Sequence, residues 1–241
     1  MAKKPLYKRI LLKLSGEALM GSKEKFGIDH KACKNIAAAV KEIHKMGVQI
    51  GIVIGGGNIF RGSQAEELGF SRTPADHIGM IATTINGLIL QQALASQGIE
   101  SHVMSAFDTD SIIEKYHWQG ALNHLNRGAI VIFVGGTGNP YFTTDTAAAL
   151  RASEINAEVL VKATKVDGVY DKDPLKHRNA KKFPLLSYAE VLSQKLKVMD
   201  ATAFALCRDS KIPIHVINLY KKGALLSAIT EKKGGSLVTG E

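Results

Sequence analysis

Apolar runs separated by polar or glycine-rich segments predict a chain of alternating strands and helices. Residues 48–54 and 129–134 are dense in isoleucine and valine, which is typical of strands buried on both faces of a sheet. Residues 8–14 form a similar short run that ends in Lys-Leu-Ser-Gly. Residues 29–46 carry apolar side chains at helical spacing, and Asp29 is placed to cap that helix.

The same pattern continues along the rest of the chain. Further helices are predicted over residues 76–97, 110–126, 144–156, 188–195, 199–210 and 223–229, and further strands over 101–105, 158–162 and 214–217. Alternating strands and helices indicate βαβ units, with a mainly parallel sheet between two layers of helices. The sequence therefore predicts an α/β protein, a three-layer αβα sandwich. Residues 164–184 depart from this rhythm because they are basic and turn-rich.

The helix predicted over residues 76–97 is apolar around most of its circumference. One stripe has the composition of an ordinary core face: Ile78, Ile81, Ala82, Ile85, Leu88 and Ile89. Four more apolar residues widen that stripe: Met80, Leu90, Ala93 and Leu94. A helix of this kind is either deeply buried or packs against another subunit, and both alternatives stay open here.

Composition excludes several classes of protein. With 45% hydrophobic and 22% charged residues, the 241-residue chain has the amino-acid composition of an ordinary globular protein. We find no apolar run near the roughly 18 residues of a membrane span and no signal-peptide core, so we expect no membrane association. The two cysteines, Cys33 and Cys207, exclude a disulfide framework and indicate a reducing cytoplasm. The eight histidines follow no metal-binding spacing, so no protein-held metal is predicted.

The net charge of +9 and the pI near 9.4 indicate a polyanionic partner. Nucleic acid and small anionic substrates such as nucleotides both fit. The chain carries no RNP, KH or helix-turn-helix signature, so nucleic-acid binding is expected to be absent or secondary.

Three predicted strands end in segments suited to phosphate. Residues 13–16 follow the first strand, residues 55–58 follow the second, and residues 135–139 follow the strand at 129–134. Glycine lets backbone N–H groups approach phosphate closely, and parallel strands gather their ligands beyond their carboxyl ends. Neither a P-loop nor a G-x-G-x-x-G motif occurs, so the phosphates are bound in another way.

Four charged residues near these loops have both a chemical and a purely structural interpretation. Lys13 and Arg61 are placed to neutralise phosphate, although each could equally be a surface cation. Asp145 lies just after Thr144, which is predicted to cap the helix 144–156, and could either stabilise the helix start or orient lysines. Asp76 is either the cap of the helix 76–97 or an acceptor for a ribose hydroxyl.

These segments together resemble the bacterial UMP kinases of the amino acid kinase family. The matching stretches are residues 8–19, 53–62, 75–80, 136–145, 162–170 and 196–200, in the family's order and over nearly the whole chain. The resemblance implies the amino acid kinase fold and transfer of the γ-phosphoryl group of ATP to UMP, with Mg²⁺ carried by the ATP phosphates. It also implies one domain, with an acceptor-binding part at about 1–156 and an ATP-binding lobe at about 157–241.

The resemblance assigns a role to each matching position. ATP binding is implied for Lys13, Leu14, Ser15, Gly16, Gly57, Arg61, Thr164, Tyr170 and Asp173. UMP binding is implied for Gly56, Asp76, Thr137, Gly138, Asn139, Pro140, Tyr141, Phe142, Thr143 and Thr144. The charged catalytic residues are then Lys13, Arg61, Asp145 and Lys162, of which the last two organise the phosphates.

Assembly and regulation are also implied by the resemblance. It favours a homohexamer built as a trimer of dimers, with UTP as an inhibitor and GTP as a common activator. A bound GTP triphosphate needs cations, yet residues 91–95, His102 and Ala129, where the family places them, are poor in lysine and arginine. Lys23 and Lys25 could substitute in part. We therefore expect GTP activation to be weak or absent.

Three other functions remain as alternatives at this point. The chain could phosphorylate a carboxylate or carbamate, as other members of the family do, or bind nucleotides without catalysis. Asp76 and the loop 137–144 favour a nucleotide acceptor, and Lys13, Arg61 and Asp145 favour retained activity. A role in nucleic-acid binding rests on the pI alone.

Overall fold

A mainly parallel sheet forms the middle layer of the protein. The computed structural model describes residues 4–21, 26–109 and 111–240, and within them nine strands share this sheet. They are β1 (Arg9–Leu14), β2 (Gln49–Ile54), β3 (Ser101–Ser105), β4 (Glu114–Lys115), β5 (Ile130–Val134), β6 (Val159–Thr164), β9 (Leu185–Ser187), β10 (Ile214–Asn218) and β11 (Gly235–Thr239). Two more strands, β7 (Val169–Tyr170) and β8 (Lys182–Phe183), pair as a separate antiparallel ribbon.

The strand order across the sheet is β4-β3-β5-β2-β1-β6-β10-β11-β9. All neighbours run parallel except β10 and β11, which are antiparallel. The strands predicted at 8–14, 48–54 and 129–134 are confirmed as β1, β2 and β5. They lie at the middle of the sheet, where both faces are covered, which explains their nearly continuous apolar sequences.

Helices cover both faces, so the predicted three-layer αβα architecture is confirmed. The helices are α1 (His30–His44), α2 (Gly62–Glu67), α3 (Arg72–Ala95), α4 (Trp118–Asn126), α5 (Thr144–Glu154), α6 (Tyr188–Ser193), α7 (Ala201–Asp209) and α8 (Ala224–Glu231). One buried cluster joins the sheet to α1, α3 and α8, and a second joins the opposite face to α4, α5, α6 and α7.

Helix α3 differs from its prediction in both its start and its buried face. It begins at Arg72 after the cap residue Ser71, so Asp76 lies inside the helix and is not its cap. Pro74 falls in the first turn, where its missing N–H costs no helical hydrogen bond. The buried face contains Leu90 and Leu94, which are fully buried. The predicted core stripe was wrong in part, because Ile81 and Ile85 are 54% and 43% exposed.

By length and apolar composition, α3 could also cross a membrane, so the expectation that no segment of the chain is long and apolar enough to do so was wrong. One face of α3 is buried in the core. It contacts α1, β3 and β5, and its polar residues Asn86 and Thr83 make buried hydrogen bonds to the loops after β2 and β5.

Two other boundaries were predicted wrongly. The helix predicted over 110–126 begins only at Trp118, because residues 114–115 form the edge strand β4; residue 110 lies outside the described residues. Helix α5 is capped by Thr143 and not by Thr144, since the Thr143 hydroxyl accepts from the backbone N–H groups of Asp145 and Thr146. The short elements α2, β7, β8, β9 and β11 were not predicted at all.

Candidate active site

The strand register brings two lysines together near the carboxyl ends of the central strands. Lys13 of β1 pairs with Lys162 of β6, and both chains run in the same direction. Paired residues on neighbouring parallel strands point to the same face of a sheet. Both lysines therefore project from the face that α5 and α7 cover.

Asp145, in the first turn of α5, lies between these two lysines. Its Oδ1 is 2.9 Å from the Lys13 Nζ, and its Oδ2 is 2.6 Å from the Lys162 Nζ. Lys162 also donates to the backbone oxygen of Val198 at 2.8 Å. The three charged side chains are only 11–15% exposed. This Lys13–Asp145–Lys162 cluster has one more positive than negative charge and can attract an anion.

The electrostatics keep the Asp145 carboxylate charged. Burial by itself raises the pKa of this carboxyl, but the Lys13 and Lys162 ammonium groups outweigh burial and hold the pKa below its ordinary value. Burial lowers the pKa of the Lys162 ammonium, and the charge of Asp145 opposes that shift. An acid with a depressed pKa that is paired to two cations is a poor proton acceptor near neutral pH.

The glycine-rich loop after β2 packs against the turn that follows β1. A side chain at Gly16 would bring its Cβ within 2.7 Å of the Gly55 oxygen and 2.8 Å of the Gly57 nitrogen. Asn58 is fully buried and exchanges side-chain hydrogen bonds with Asn86 of α3, whose amide also donates to the Gly55 oxygen at 2.7 Å. The asparagine pair thus fixes the loop backbone beside the turn.

Arg61 follows this loop and forms part of a second charged group. Its guanidinium Nη2 lies 2.8 Å from the Glu17 carboxylate, and its Nε donates to the Gly57 oxygen at 2.9 Å. The other Glu17 oxygen is 2.5 Å from the Lys165 Nζ. The hydrogen bond from Lys165, with the charges of Lys165 and Arg61, holds the pKa of Glu17 below its ordinary value against the opposing effect of burial. Glu17 therefore gathers two cations at the mouth of the site.

Asp76 ties α3 to the loop after β5. Its Oδ2 accepts from the backbone N–H of Tyr141 at 2.7 Å and from the Arg72 Nε at 3.3 Å. Tyr141 has a φ of 73°, an uncommon conformation for a residue with a side chain. Its ring is 59% exposed and lies under the Arg72 guanidinium at 4.9 Å. The loop is thus held in one conformation by a carboxylate that still faces solvent.

The end of the same loop is connected to the C-terminal half of the chain. The Thr143 hydroxyl donates to the Asp200 Oδ2 at 2.5 Å, and the Thr146 hydroxyl donates to both Asp200 oxygens at 3.1 Å. Asp200 in turn caps α7 by accepting from the Ala203 N–H at 2.9 Å. The base of the loop and the helix α7 are therefore fixed by a single carboxylate.

Thr164, Tyr170 and Asp173, which the resemblance places at the ATP site, make local side-chain contacts in the structure. Thr164 ends β6 beside the turn after β1, and its hydroxyl donates to the Val166 oxygen at 2.7 Å. Tyr170 donates its hydroxyl to Asp167 at 2.5 Å, which raises the pKa of Tyr170 to about 12. Asp173 accepts from the Leu175 N–H at 3.0 Å. The structure thus brings Lys13, Asp145 and Lys162 into contact, whereas the side-chain bonds described for Tyr170 and Asp173 stay within their own segment.

Four polar residues with evident positioning roles were not singled out from the sequence: Glu17, Asn58, Asn86 and Asp200. Glu17, Asn58 and Asp200 lie within the segments 8–19, 53–62 and 196–200 that carried the resemblance, which was the available signal. Asn86 lies outside every such segment, and only its burial and its hydrogen bonds reveal its role.

A comparison with family models gives one match that is relevant to this site. The model described as "Amino acid kinase family" matches residues 8–218, which include every element around the Lys13–Asp145–Lys162 cluster.

Individual relatives match over nearly the full length. The chain is 56% identical over 233 residues to a protein named uridylate kinase from Protochlamydia amoebophila (strain UWE25), covering 96% of this chain and 92% of that protein. It is 53% identical over 237 residues to a uridylate kinase of Pseudomonas paraeruginosa (strain DSM 24068 / PA7), covering 98% and 96%. The crystal structure of UMP kinase from Bacillus anthracis superposes with a TM-score of 0.92 at 40% identity, covering 97% of this chain and 96% of that one.

Proposed function

This chain belongs to the amino acid kinase family, and on that premise we propose that it transfers the γ-phosphoryl group of ATP to UMP, giving ADP and UDP for pyrimidine nucleotide biosynthesis. It is an enzyme, a phosphotransferase whose acceptor is a phosphate group. The observation that carries this proposal is the Lys13–Asp145–Lys162 cluster near the carboxyl ends of β1 and β6. The names of the full-length relatives support UMP as the acceptor.

Phosphoryl transfer between two nucleotides requires two negatively charged groups to meet in line. Lys13 and Lys162 offset the charge on the transferring group and on the bridging oxygen as the bond to ADP breaks. Arg61 and Lys165, held by Glu17, add positive charge on the ATP side. The two ammonium groups are positioned before substrate arrives, because Asp145 holds both, so little reorganisation is needed during the reaction.

The reaction needs no strong general base. The attacking atom is an oxygen of the UMP phosphate, which is already ionised near neutral pH. Because the pKa of Asp145 is lowered and its carboxylate is paired to two lysines, Asp145 acts as a positioning residue. Its role is to orient Lys13 and Lys162.

Mg²⁺ would be carried by ATP and would supply positive charge that offsets the phosphate charge. The donor set fits this arrangement, because the carboxylate at the centre of the site is already engaged by two lysines. No protein ligand for Mg²⁺ is therefore assigned.

The acceptor side is proposed to lie in the first part of the chain, at about residues 1–156, and the ATP side in the lobe from about 157 to 241. Asp76 and the loop 137–144 would bind the ribose and uracil of UMP, with Gly56 beside them. Leu14, Ser15, Gly16 and Gly57 would bind the ATP phosphates, and Thr164, Tyr170 and Asp173 the adenosine. The Asp76 carboxylate is the strongest support on the acceptor side, because it is 31% exposed beside that loop.

We further propose a cytoplasmic homohexamer built as a trimer of dimers. Ile81 and Ile85 of α3 support a subunit contact, because they leave an apolar face of a long helix exposed in the monomer. Leu90 and Leu94, which widen the apolar stripe in the sequence, belong to the core and are not part of this face.

We propose that UTP inhibits the enzyme and that GTP activates it weakly or not at all. UTP would inhibit by competing for the uridine site, and excess UMP would relieve that inhibition. GTP activation would be weak, because residues 91–95, His102 and Ala129 offer no lysine or arginine to a triphosphate. Lys23 and Lys25 lie outside the described residues. Initial rates at subsaturating ATP, with and without millimolar GTP, test this expectation.

The experiment that tests the function incubates the protein with Mg-ATP and a panel of acceptors. UMP should be phosphorylated much faster than CMP, AMP, GMP, glutamate or aspartate. Preferred phosphorylation of an amino acid would instead support the carboxylate-kinase alternative, and binding without turnover would support a non-catalytic protein. A salt-dependent shift assay with arbitrary DNA tests for a secondary nucleic-acid function.

A further inference from the structure

Three potential metal ligands meet at the β4 edge of the sheet, away from the active site. His102 lies on β3, Glu114 on β4 and His124 on α4, and their ligand atoms all lie within 4.8 Å of one another. We propose that these residues bind one divalent transition-metal ion of the Zn²⁺ type, and that the ion joins the edge strand to the helix covering it.

The fold itself places the three side chains on one face. Glu114 pairs in register with Met104 of β3, so the two side chains point the same way. His102 lies two residues before Met104 on the same strand and therefore shares that face. Met104 packs in the cluster that contains Leu125 of α4, which places α4 over this face. The ligands thus converge through the strand register and the packing of one helix, and not through flexible loops.

The local geometry is consistent with a site that closes around an ion. The His124 Nε2 lies 3.0 Å from a Glu114 oxygen, and the His102 Nε2 lies 3.1 Å from a Glu100 oxygen. The two imidazole rings are stacked with centroids 3.7 Å apart. Ligand atoms around a tetrahedral ion are about 3.3 Å apart at bond lengths of about 2.0–2.1 Å. Rotation of one ring out of the stack, with movement of the exposed carboxylates, brings the ligand atoms to that spacing.

The chemistry of the ligand set selects the class of metal. Imidazole nitrogens suit Zn²⁺, Ni²⁺, Co²⁺ and Cu²⁺, whereas Mg²⁺ prefers oxygen ligands only. The two carboxylates, Glu100 and Glu114, supply two negative charges that complement a dication. Glu100 is 76% exposed and can serve as a fourth ligand. This site is therefore distinct in kind from any Mg²⁺ that accompanies ATP.

The proposed ion would stabilise the protein and not take part in catalysis. Four strand spacings of about 4.8 Å, or roughly 19 Å, separate β4 from β1 and Lys13. Among the described residues, strand β4 contributes two residues to the sheet and pairs with β3 alone, so an ion that joins β4 to α4 would stabilise this short edge strand.

Calorimetric titration of the full chain with Zn²⁺, in excess Mg²⁺ to mask sites made of oxygen ligands, tests the proposal. The parent should bind one Zn²⁺ and gain thermal stability. Glu114→Gln and His124→Gln should each weaken Zn²⁺ binding at least about tenfold and remove the gain. His30→Gln, which changes an exposed histidine on α1, should bind Zn²⁺ like the parent. Phosphorylation of UMP should be unchanged in all three variants.

Absence of stoichiometric Zn²⁺ binding in the parent would overturn the proposal, as would equal binding by the Glu114→Gln and His124→Gln variants. Should either variant fail to fold by circular dichroism, Co²⁺ added to the parent decides independently. Visible absorption bands of a four- or five-coordinate Co²⁺ ion are expected. The spectrum of hydrated Co²⁺ alone would contradict the proposal.

Discussion

The Asp145 carboxylate lies 2.9 Å from the Lys13 ammonium, and this pair joins the start of α5 to the end of β1. Lys162 contacts the other oxygen of the same carboxylate. One buried anion therefore determines the positions of two cations that face the proposed phosphates. The stability of this arrangement and its catalytic value can be tested separately.

Asp145→Asn should destabilise the protein at pH 7 by roughly 3 kcal/mol, because it leaves two ammonium groups close together in a largely buried site. Urea denaturation of the parent and the variant measures the difference. Asp108→Asn is the matched control, since Asp108 is 61% exposed and its ion pair with Lys115 lies at the surface. It should change stability by less than about 0.5 kcal/mol. Equal losses of unfolding free energy in the two variants would show that the buried ion pairs of Asp145 stabilise the protein no more than a surface ion pair does.

Asp76→Asn should raise the KM for UMP and reduce the preference for UMP over dUMP. A carboxylate on the ribose hydroxyls loses a partner when the 2′-hydroxyl is missing, which typically costs about 1–3 kcal/mol. Asn at this position weakens the contact while keeping the shape of the side chain. Tyr141→Phe is the control, because it leaves the backbone N–H that binds Asp76 intact and should keep the UMP to dUMP ratio. An unchanged ratio in Asp76→Asn would exclude a ribose contact.

His215 should make the protein sensitive to acid. It is fully buried on β10, and neither of its ring nitrogens has a hydrogen-bond partner among the described residues. Burial, with a smaller effect of the Lys182 charge, lowers its pKa from the ordinary 6.5 to about 4. As the pH falls below 6.5 the unfolded chain takes up a proton that the folded chain refuses, so stability is lost between about pH 6.5 and 4.

The loss at pH 4.5 relative to pH 7.5 from this one group is roughly 2–3 kcal/mol. Unfolding free energies measured across that range should therefore fall less steeply in His215→Leu than in the parent. If the unfolding free energies of the two proteins fell equally with pH, the His215 imidazole would not be the group that causes the loss of stability in acid.

Ile85→Asp should dissociate the assembly without unfolding the subunit, because Ile85 is 43% exposed on α3. Leu90→Asp should instead unfold it, since a charge would enter a site that is fully buried. Sedimentation and circular dichroism together distinguish the two outcomes. Leu175→Asp, at a side chain that is 77% exposed, is the control for an added surface charge. A parent protein that sediments as a monomer at micromolar concentration would remove the basis for this prediction.

The sequence predicted most clearly the strands whose apolar residues are all explained by burial on both faces of the sheet. Strands β1, β2 and β5 lie inside the sheet, so burial on both faces produced runs that could be recognised. Helix α3 is apolar on several sides, and the sequence alone could not decide which side packs on the sheet. Residues 110–117 contain Ile112 and Ile113 at positions compatible with a helix, yet Glu114 and Lys115 pair with β3 instead.

Sequence position alone singled out some of the charged residues of the candidate site but left their contacts open. Lys13 and Asp145 could be singled out from their places at a strand end and a helix start. Their contact depends on the register between β1 and β6 and on how α5 crosses the sheet, which local sequence does not encode. The proposed metal site could not be predicted from local sequence either. Its ligands His102, Glu114 and His124 lie on three different elements and follow no short spacing.

The turnover of the Lys13→Met variant with Mg-ATP and UMP tests the central claim most directly. This substitution removes the ammonium at the transferring group while keeping a flexible side chain of similar length, and Lys8→Met, at an exposed position before β1, is its control. We expect kcat to fall about 100-fold or more in Lys13→Met, with an unchanged circular dichroism spectrum, and to stay near the parent value in Lys8→Met. A folded Lys13→Met variant whose kcat lies within a few-fold of the parent would contradict the account.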